Sequence, residues 1–320
     1  MSQPSPASLL IVAGPTASGK SALALALAEE LRGTIINADS MQVYRDLAVL
    51  TTRPGAADLA RAPHRLYGVI DAAETCSVGR WRLMALAEIA ASHRAGRVPI
   101  LAGGTGLYLR ALLEGLAPVP PIPAAARAQA RALQARLGGE AFRRALAPLD
   151  PEAAQRLAAG DTQRLIRAYE VAKATGRTLA AWRRGQGAPG FSAAAVVLLP
   201  PRETLYAGCD ARFLAMMEQG AAPEAEALLA RGLDPALPAM KAVGVRELGA
   251  LLTGRADREA AIAAAQQATR RYAKRQYTWL RHQLPETGSL RKLVLTEQFS
   301  ESLLPKIFSF IRQFQLTVKV

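Results

Sequence analysis

Two features of the first forty-odd residues carry chemistry. Gly14-Pro15-Thr16-Ala17-Ser18-Gly19-Lys20-Ser21 spaces glycine, four residues, glycine, lysine and serine, the pattern of a loop whose backbone N–H groups converge on phosphate oxygens at a helix N-terminus. Gly14 and Gly19 allow the tight turns, Lys20 adds a positive charge, and the Ser21 hydroxyl can hold Mg²⁺. The pattern does not say whether the phosphate belongs to a nucleotide. Asp39 follows, opening Asp39-Ser40-Met41-Gln42. Its carboxylate reads either as a helix cap or magnesium ligand, or as a general base beside a phosphate-bearing electrophile. Asp71, at the end of Leu66 to Ile70, is a competing carboxylate, and spacing alone does not choose between them.

Three further segments bear polar groups at useful places. In Gly103-Gly104-Thr105-Gly106 the glycines permit close approach and Thr105 offers a hydroxyl, although a plain turn into a helix over Leu107 to Leu113 explains the run equally well. Gly160-Asp161-Thr162-Gln163-Arg164-Leu165-Ile166-Arg167 starts a helix that Asp161 or Thr162 can cap, with two arginines on adjacent turns. From Thr269 to His282, Arg270, Lys274, Tyr277 and Arg281 recur at helical spacing beside Arg271, Arg275 and Thr278. Such a basic stripe suits a sugar-phosphate backbone. Tyr272 and Trp279 define another face and read as core anchors rather than base-stacking platforms.

These residues sit where an α/β fold would put them. Leu9 to Ala13 is a buried strand leading into the phosphate loop, and Ser21 to Leu31 is a helix. Thr34 to Ala38, Val98 to Ala102 and Val196 to Leu199 are further strands, separated by helical stretches. That alternation predicts a parallel sheet covered on both faces, with ligands beyond the carboxyl ends of its strands. The proline-rich run from Pro118 to Pro123 marks a domain exit. The Ala, Arg and Leu-rich stretch from Ala124 to about Trp182 reads as an inserted helical subdomain, after which the chain returns through Gly185 to Gly190. The division expected is 1–117 and 191–287 for the core, 118–190 for the insertion, and 288–320 for a separate tail of unknown role, marked by the loss of alanine and by Phe299, Phe308, Phe310 and Phe314.

Hydrophobic residues make up 50% of the 320, enough for a real core, and 40 Lys+Arg against 26 Asp+Glu leave a formal charge of +14. Polyanionic partners such as nucleic acid or phosphorylated substrates are favoured. Cys76 and Cys209, far apart in sequence, indicate neither a disulfide framework nor a zinc site, and fit a reducing cytoplasm. Met1 to Ser8 lacks a basic side chain and Leu9 to Ala13 is too short for a leader core or a span, so no membrane association is expected.

Taken in order, Gly14 to Ser21, Asn37 to Arg45, Gly103 to Tyr108, Asp161 to Val171, Pro201-Arg202-Glu203 and Thr269 to Trp279 resemble the tRNA dimethylallyltransferase family, over roughly residues 8 to 285. The resemblance implies a P-loop NTPase-like parallel sheet core carrying an inserted helical tRNA-binding domain. It also implies transfer of the dimethylallyl group of dimethylallyl pyrophosphate to the exocyclic amine of the adenosine 3′ of the anticodon, with Mg²⁺ as cofactor and the tRNA anticodon stem-loop as partner of a monomer. In that case Asp39 is the base, with Thr105 and Lys20 beside it, while Gly14, Pro15, Thr16, Ala17, Ser18, Gly19, Lys20, Ser21 and Arg212 hold pyrophosphate. Contacts to tRNA would come from Asp39, Ser40, Met41, Gln42, Thr105, Arg127, Gln163, Arg164, Leu165, Ile166 and Arg167, with Arg270 and Lys274 from the basic stripe. The chain departs from the family's runs at Asp46 to Arg53 and at Gly244-Val245-Arg246-Glu247. The competing reading is a small-molecule or nucleotide kinase, since the same loop commonly holds ATP. A kinase has no need of the Asp39 run or the basic helix. A third reading, a non-catalytic RNA-binding protein, is opposed by the intact Lys20-Ser21 pair.

Overall fold

β1 (Ala7–Ala13) is buried along Leu9 to Ala13, as a central parallel strand covered on both faces must be. The structure, a computed structural model, describes residues 7–183, 191–285 and 290–318. After β1 come α1 (Lys20–Glu30), β2 (Gly33–Asn37), α2 (Ala56–Arg61), β3 (His64–Arg65), α3 (Val78–Arg94), β4 (Val98–Gly103) and α4 (Gly106–Glu114). Next are α5 (Ala124–Leu146), α6 (Pro151–Arg156), α7 (Thr162–Thr175) and α8 (Leu179–Arg183). The chain continues as β5 (Phe191–Leu198), α9 (Arg202–Glu218), α10 (Ala221–Ala230), α11 (Val245–Leu252), α12 (Arg258–His282), β6 (Leu290–Leu295) and α13 (Leu304–Val318).

The six strands form one sheet in the order β3-β2-β4-β1-β5-β6, and every pairing is parallel. The expected α/β class with a parallel sheet is what forms. Asn37 pairs with Ala102, and Ala13 with both Gly103 and Val197, so β2, β4, β1 and β5 end at one edge. The phosphate loop, Asp39 and Gly104 all leave from that edge. Side chains alternate between two cores. Leu9, Ile11 and Ala13 join Trp81, Leu109 and Leu280, while Leu10 and Val12 pack with Leu23 and Leu27 of α1.

By its contacts the chain divides into two compact units, Met1–Leu113 with Gly190–Val320, and Glu114–Pro189. The second unit holds α5 to α8 around Phe142, Leu146, Leu157 and Leu165, with α5 bent where Gly138 takes φ 72°. The return segment from Gly185 to Gly190 lies outside the described residues, as does Gly288.

The expected separate tail is corrected. β6 adds to the core sheet beside β5, with Val196 against Leu293, and Leu303, Ile307, Ile311 and Phe314 are buried in the same core as α1. Sheet pairing and an otherwise uncovered apolar face draw this segment in, whatever its change in composition. The run Leu66 to Ile70, which leads to Asp71, forms no regular strand. Leu66 takes φ 65°, and Ile70 makes only an isolated bridge to Tyr44. Both cysteines are free, and no helix among the described residues is long and apolar enough to cross a membrane.

Candidate active site

The phosphate loop is shaped by two left-handed residues, Ala17 (φ 65°) and Gly19 (φ 87°), with Ser18 N–H turned back onto the Pro15 carbonyl at 3.3 Å. Gly19 then caps α1, whose first amides have no carbonyl within the helix to meet. Lys20 Nζ donates to Pro15 O at 3.4 Å. Burial and the neighbouring Arg212 guanidinium lower the Lys20 pKa to about 8, against a smaller opposing effect of Asp39. Arg212, on α9, donates to Thr16 Oγ1 at 3.1 Å and is itself held below its ordinary value by burial. Two cations thus share one enclosed end of the site. Ser18 is fully buried and its Oγ has no hydrogen-bond partner among the described residues. An anion rich in acceptor oxygens would satisfy both conditions.

A buried glutamine that the sequence did not single out ties α12 to this loop. Gln276 Oε1 accepts from Thr16 N at 2.8 Å, while its Nε2 has no partner among the described residues. The approach is possible because of Gly104, where a Cβ would lie 2.5 Å from that amide nitrogen and 2.7 Å from the Gly14 carbonyl oxygen. A Cβ at Gly103 would overlap the Ala38 carbonyl. The glycines after β4 serve close approach rather than a plain turn.

Asp39 stands where β2 ends. Its N–H donates to Asn37 Oδ1 at 2.8 Å, and its Oδ1 accepts from Met41 N, also at 2.8 Å. Thr105 Oγ1 accepts from Ser40 N at 2.9 Å and donates to Ser40 Oγ at 3.3 Å, and the Tyr272 hydroxyl lies beside both side chains. Burial, reinforced by the Asp39 charge, raises the Tyr272 pKa far above the ordinary phenol value, so it remains a neutral hydroxyl. Tyr272 is therefore a wall of the site, a correction to its reading as a core anchor. Trp279 does pack against the core. Asp71 is otherwise engaged: its carboxylate accepts from Arg231 at 2.7 Å and Ala73 N at 2.9 Å. Of the two candidate carboxylates, only Asp39 faces the cavity.

That cavity, of about 200 Å³, brings together Thr16, Asp39, Ser40, Met41 and Arg212 with Tyr272 and Arg275 of α12. Its remaining wall is largely apolar, with Leu50, Phe213, Met216 and Val243. Arg212, Arg275 and Lys241 give the cavity positive charge, Asp39 gives it a carboxylate, and its apolar residues accept hydrocarbon.

Residues 42–283 match the sequence pattern of the IPP transferase family. The chain belongs to that family. It is 58% identical over 279 residues to a tRNA dimethylallyltransferase of Rhodospirillum centenum, covering 86% of this chain and 89% of that one. A tRNA dimethylallyltransferase of Rhodospirillum rubrum is 53% identical over 320 residues, covering 99% and 98%. The second match reaches through β6 and α13, so likeness to the family does not stop near residue 285. Among solved structures, the full-length tRNA isopentenylpyrophosphate transferase of Bacillus halodurans is 30% identical with a TM-score of 0.70, covering 98% of each chain. A eukaryotic dimethylallyltransferase acting on tRNA is 25% identical with a TM-score of 0.82, over 96% of this chain and 80% of that one. Membership of a transferase family of this kind displaces the kinase and the non-catalytic readings.

The other expected IPP transferase positions fall differently. Gln42 Nε2 donates to the Thr51 and Thr52 carbonyls at 2.8 and 3.1 Å, which commits it to shaping a loop. Lys274 is exposed on α12, but Arg270 pairs with Asp210 at 2.5 Å and is not a free cation of the stripe. Arg127 and Gln163 to Arg167 belong to the second unit. There Arg127, Gln163 and Arg164 are exposed, Arg164 meets Asp161 at 3.0 Å and Arg167 meets Glu170 at 2.8 Å. The Asp161 carboxylate therefore serves Arg164 rather than capping α7. Leu165 is fully buried beside Phe142 and Ala168, so its side chain is a core residue and not a surface contact.

Proposed function

We propose that the protein transfers the dimethylallyl group of dimethylallyl pyrophosphate to the exocyclic amine of the adenosine 3′-adjacent to the anticodon in tRNA, releasing pyrophosphate. The observation that carries this reading is a single cavity lined by Arg212, an apolar wall and the Asp39 carboxylate, with the Lys20 ammonium near enough to feel the charges of both Arg212 and Asp39. Pyrophosphate would lie against the loop from Gly14 to Ser21 and Arg212, which act where negative charge grows as the allylic C–O bond breaks. The electron pair of that bond leaves with pyrophosphate, the adenine amine forms the new C–N bond, and Asp39 takes the proton that the amine gives up. Thr105, bonded to Ser40 through backbone and side chain, holds the Asp39–Ser40 turn in place for that transfer.

Mg²⁺ bound with the donor would neutralise part of the leaving group's charge. No cluster of three or more His, Cys, Asp or Glu among the described residues could hold a metal alone. The exposed Ser21 hydroxyl on the first turn of α1 nevertheless fits a magnesium ion whose other ligands are phosphate oxygens and water. The acceptor base must leave its stack to enter the cavity, at lower cost from an anticodon loop than from a duplex. Arg127, Gln163, Arg164 and Lys274 would meet the anticodon stem-loop, with the protein acting as a monomer in the cytoplasm.

Nucleoside mass spectrometry of unmodified tRNA incubated with protein, Mg²⁺ and dimethylallyl pyrophosphate should reveal a prenylated adenosine that ATP cannot replace. Asp39→Asn should lower the single-turnover rate on the order of 10²- to 10⁴-fold with donor affinity kept. An Asp39→Asn protein as fast as the parent would remove Asp39 as the base.

A further inference from the structure

Ala48, Val49 and Leu50 turn three successive backbone N–H groups onto one side chain carried by α10. Glu224 Oε2 accepts from Ala48 N at 2.7 Å and Val49 N at 2.8 Å, and Oε1 accepts from Leu50 N at 2.8 Å. These amides open a tight turn closed by Thr52 N to Val49 O and Arg53 N to Ala48 O, both 2.9 Å, with Thr52 at φ 52°. Such opening donors have no partner within their own turn, and a carboxylate meets them with charge-assisted bonds. The same turn presents Leu50, Thr51 and Thr52 to the cavity, which Phe213 and Met216 of α9 also line. Leu50 is seated against Gly244, where a Cβ would lie 2.5 Å from Leu50 Cδ2. Glu224 itself does not line the cavity.

We infer that Glu224 is a positioning residue that fixes the apolar wall around Leu50, and through it the affinity for the hydrocarbon end of the donor. The inference rests on the donor reading proposed above. It follows from connectivity: the part of the wall on α9 is bound to its neighbour α10 by a short link, and the Leu50 turn is held to α10 by this carboxylate. Releasing the turn lets Leu50 withdraw while leaving the phosphate loop, on a different strand end, as it was. The pyrophosphate end of the site and its hydrocarbon end should thus respond differently to the same substitution.

Calorimetric titration of the full-length protein with inorganic pyrophosphate and with dimethylallyl pyrophosphate separates the two ends. In Glu224→Ala, pyrophosphate affinity should stay within two-fold of the parent, while donor affinity falls roughly ten-fold, about the loss of two buried methyl groups. Glu224→Gln, which keeps one acceptor oxygen, should fall between and covers the case in which the alanine variant does not fold. Equal weakening toward both ligands, or a lowered melting temperature with unchanged preference for the donor, would overturn the inference and leave Glu224 as a fold anchor. A parent protein that binds dimethylallyl pyrophosphate no better than pyrophosphate would instead remove the donor reading, and this inference with it.

Discussion

Lys20 and Arg212 are two positive side chains enclosed together, and their mutual repulsion and burial work against the charge that the pyrophosphate end needs. Lys20 is depressed from 10.5 to about 8. In the free protein its ammonium is therefore complete below about pH 7 and largely lost by pH 9. Between about pH 8 and 10.5 the unfolded chain binds the proton and the folded one does not, so this group makes stability rise with pH over that window. Anion affinity moves the opposite way. Calorimetry should show the affinity for inorganic pyrophosphate falling about ten-fold from pH 7 to pH 9 through loss of that one charge. Lys20→Ala, weaker throughout, should follow only the titration of the ligand; an identical profile in both proteins would deny Lys20 its role. Lys20 was legible because a local pattern of glycines fixes it. The choice of Asp39 over Asp71 was not, because the guanidinium that occupies Asp71 belongs to Arg231, far along the chain.

α12 shows how one element can be read correctly as a helix and incorrectly as a surface. Tyr272 and Trp279 have nearly the same azimuth on the helix, yet seven residues separate them by about 10 Å along its axis. Trp279 meets Gly106, and Tyr272 reaches the cavity beside Asp39. Sequence periodicity gives azimuth and leaves the axial level of each contact to tertiary structure. Between them lies Gln276, a buried polar residue at 5% exposure whose role depends on the close approach of Gly104. No pattern within α12 distinguishes it from a surface glutamine. Gln276→Ala would free Thr16 N and unfasten α12 from the phosphate loop. A neutral hydrogen bond of this kind contributes about 0.5–1.5 kcal/mol, so donor affinity should drop by roughly two- to ten-fold, with the single-turnover rate at saturating donor falling less. Binding measurements unchanged from the parent would leave Gln276 as packing alone.

At the scale of the molecule, the sheet and its edge of active residues were legible because β1, β2, β4 and β5 are short apolar runs bounded by loops. The final segment was not, since its composition differs from everything before it while its burial is decided by the face that β5 and α1 leave open. The link between β6 and α13 also reaches the site: Gln298 Nε2 donates to Ala17 O at 3.1 Å, and a Cβ at Gly19 would lie 2.7 Å from Phe299 Cβ. The segment is thus part of the core and a backing to the phosphate loop. Its buried Leu295, Ile307, Ile311 and Phe314 each stabilise the fold by roughly 1.5–3 kcal/mol, a sum comparable with the whole net stability of about 5–15 kcal/mol expected of a domain. A chain ending at residue 287 should therefore show no cooperative thermal transition. Ile311→Ala, at about 2–5 kcal/mol, should fold and melt lower by several degrees while keeping its pyrophosphate affinity. A truncated protein melting like the parent would mean that the sheet closes without β6; loss of pyrophosphate binding in folded Ile311→Ala would mean instead that α13 positions the loop directly, through the turn that carries Gln298 and Phe299.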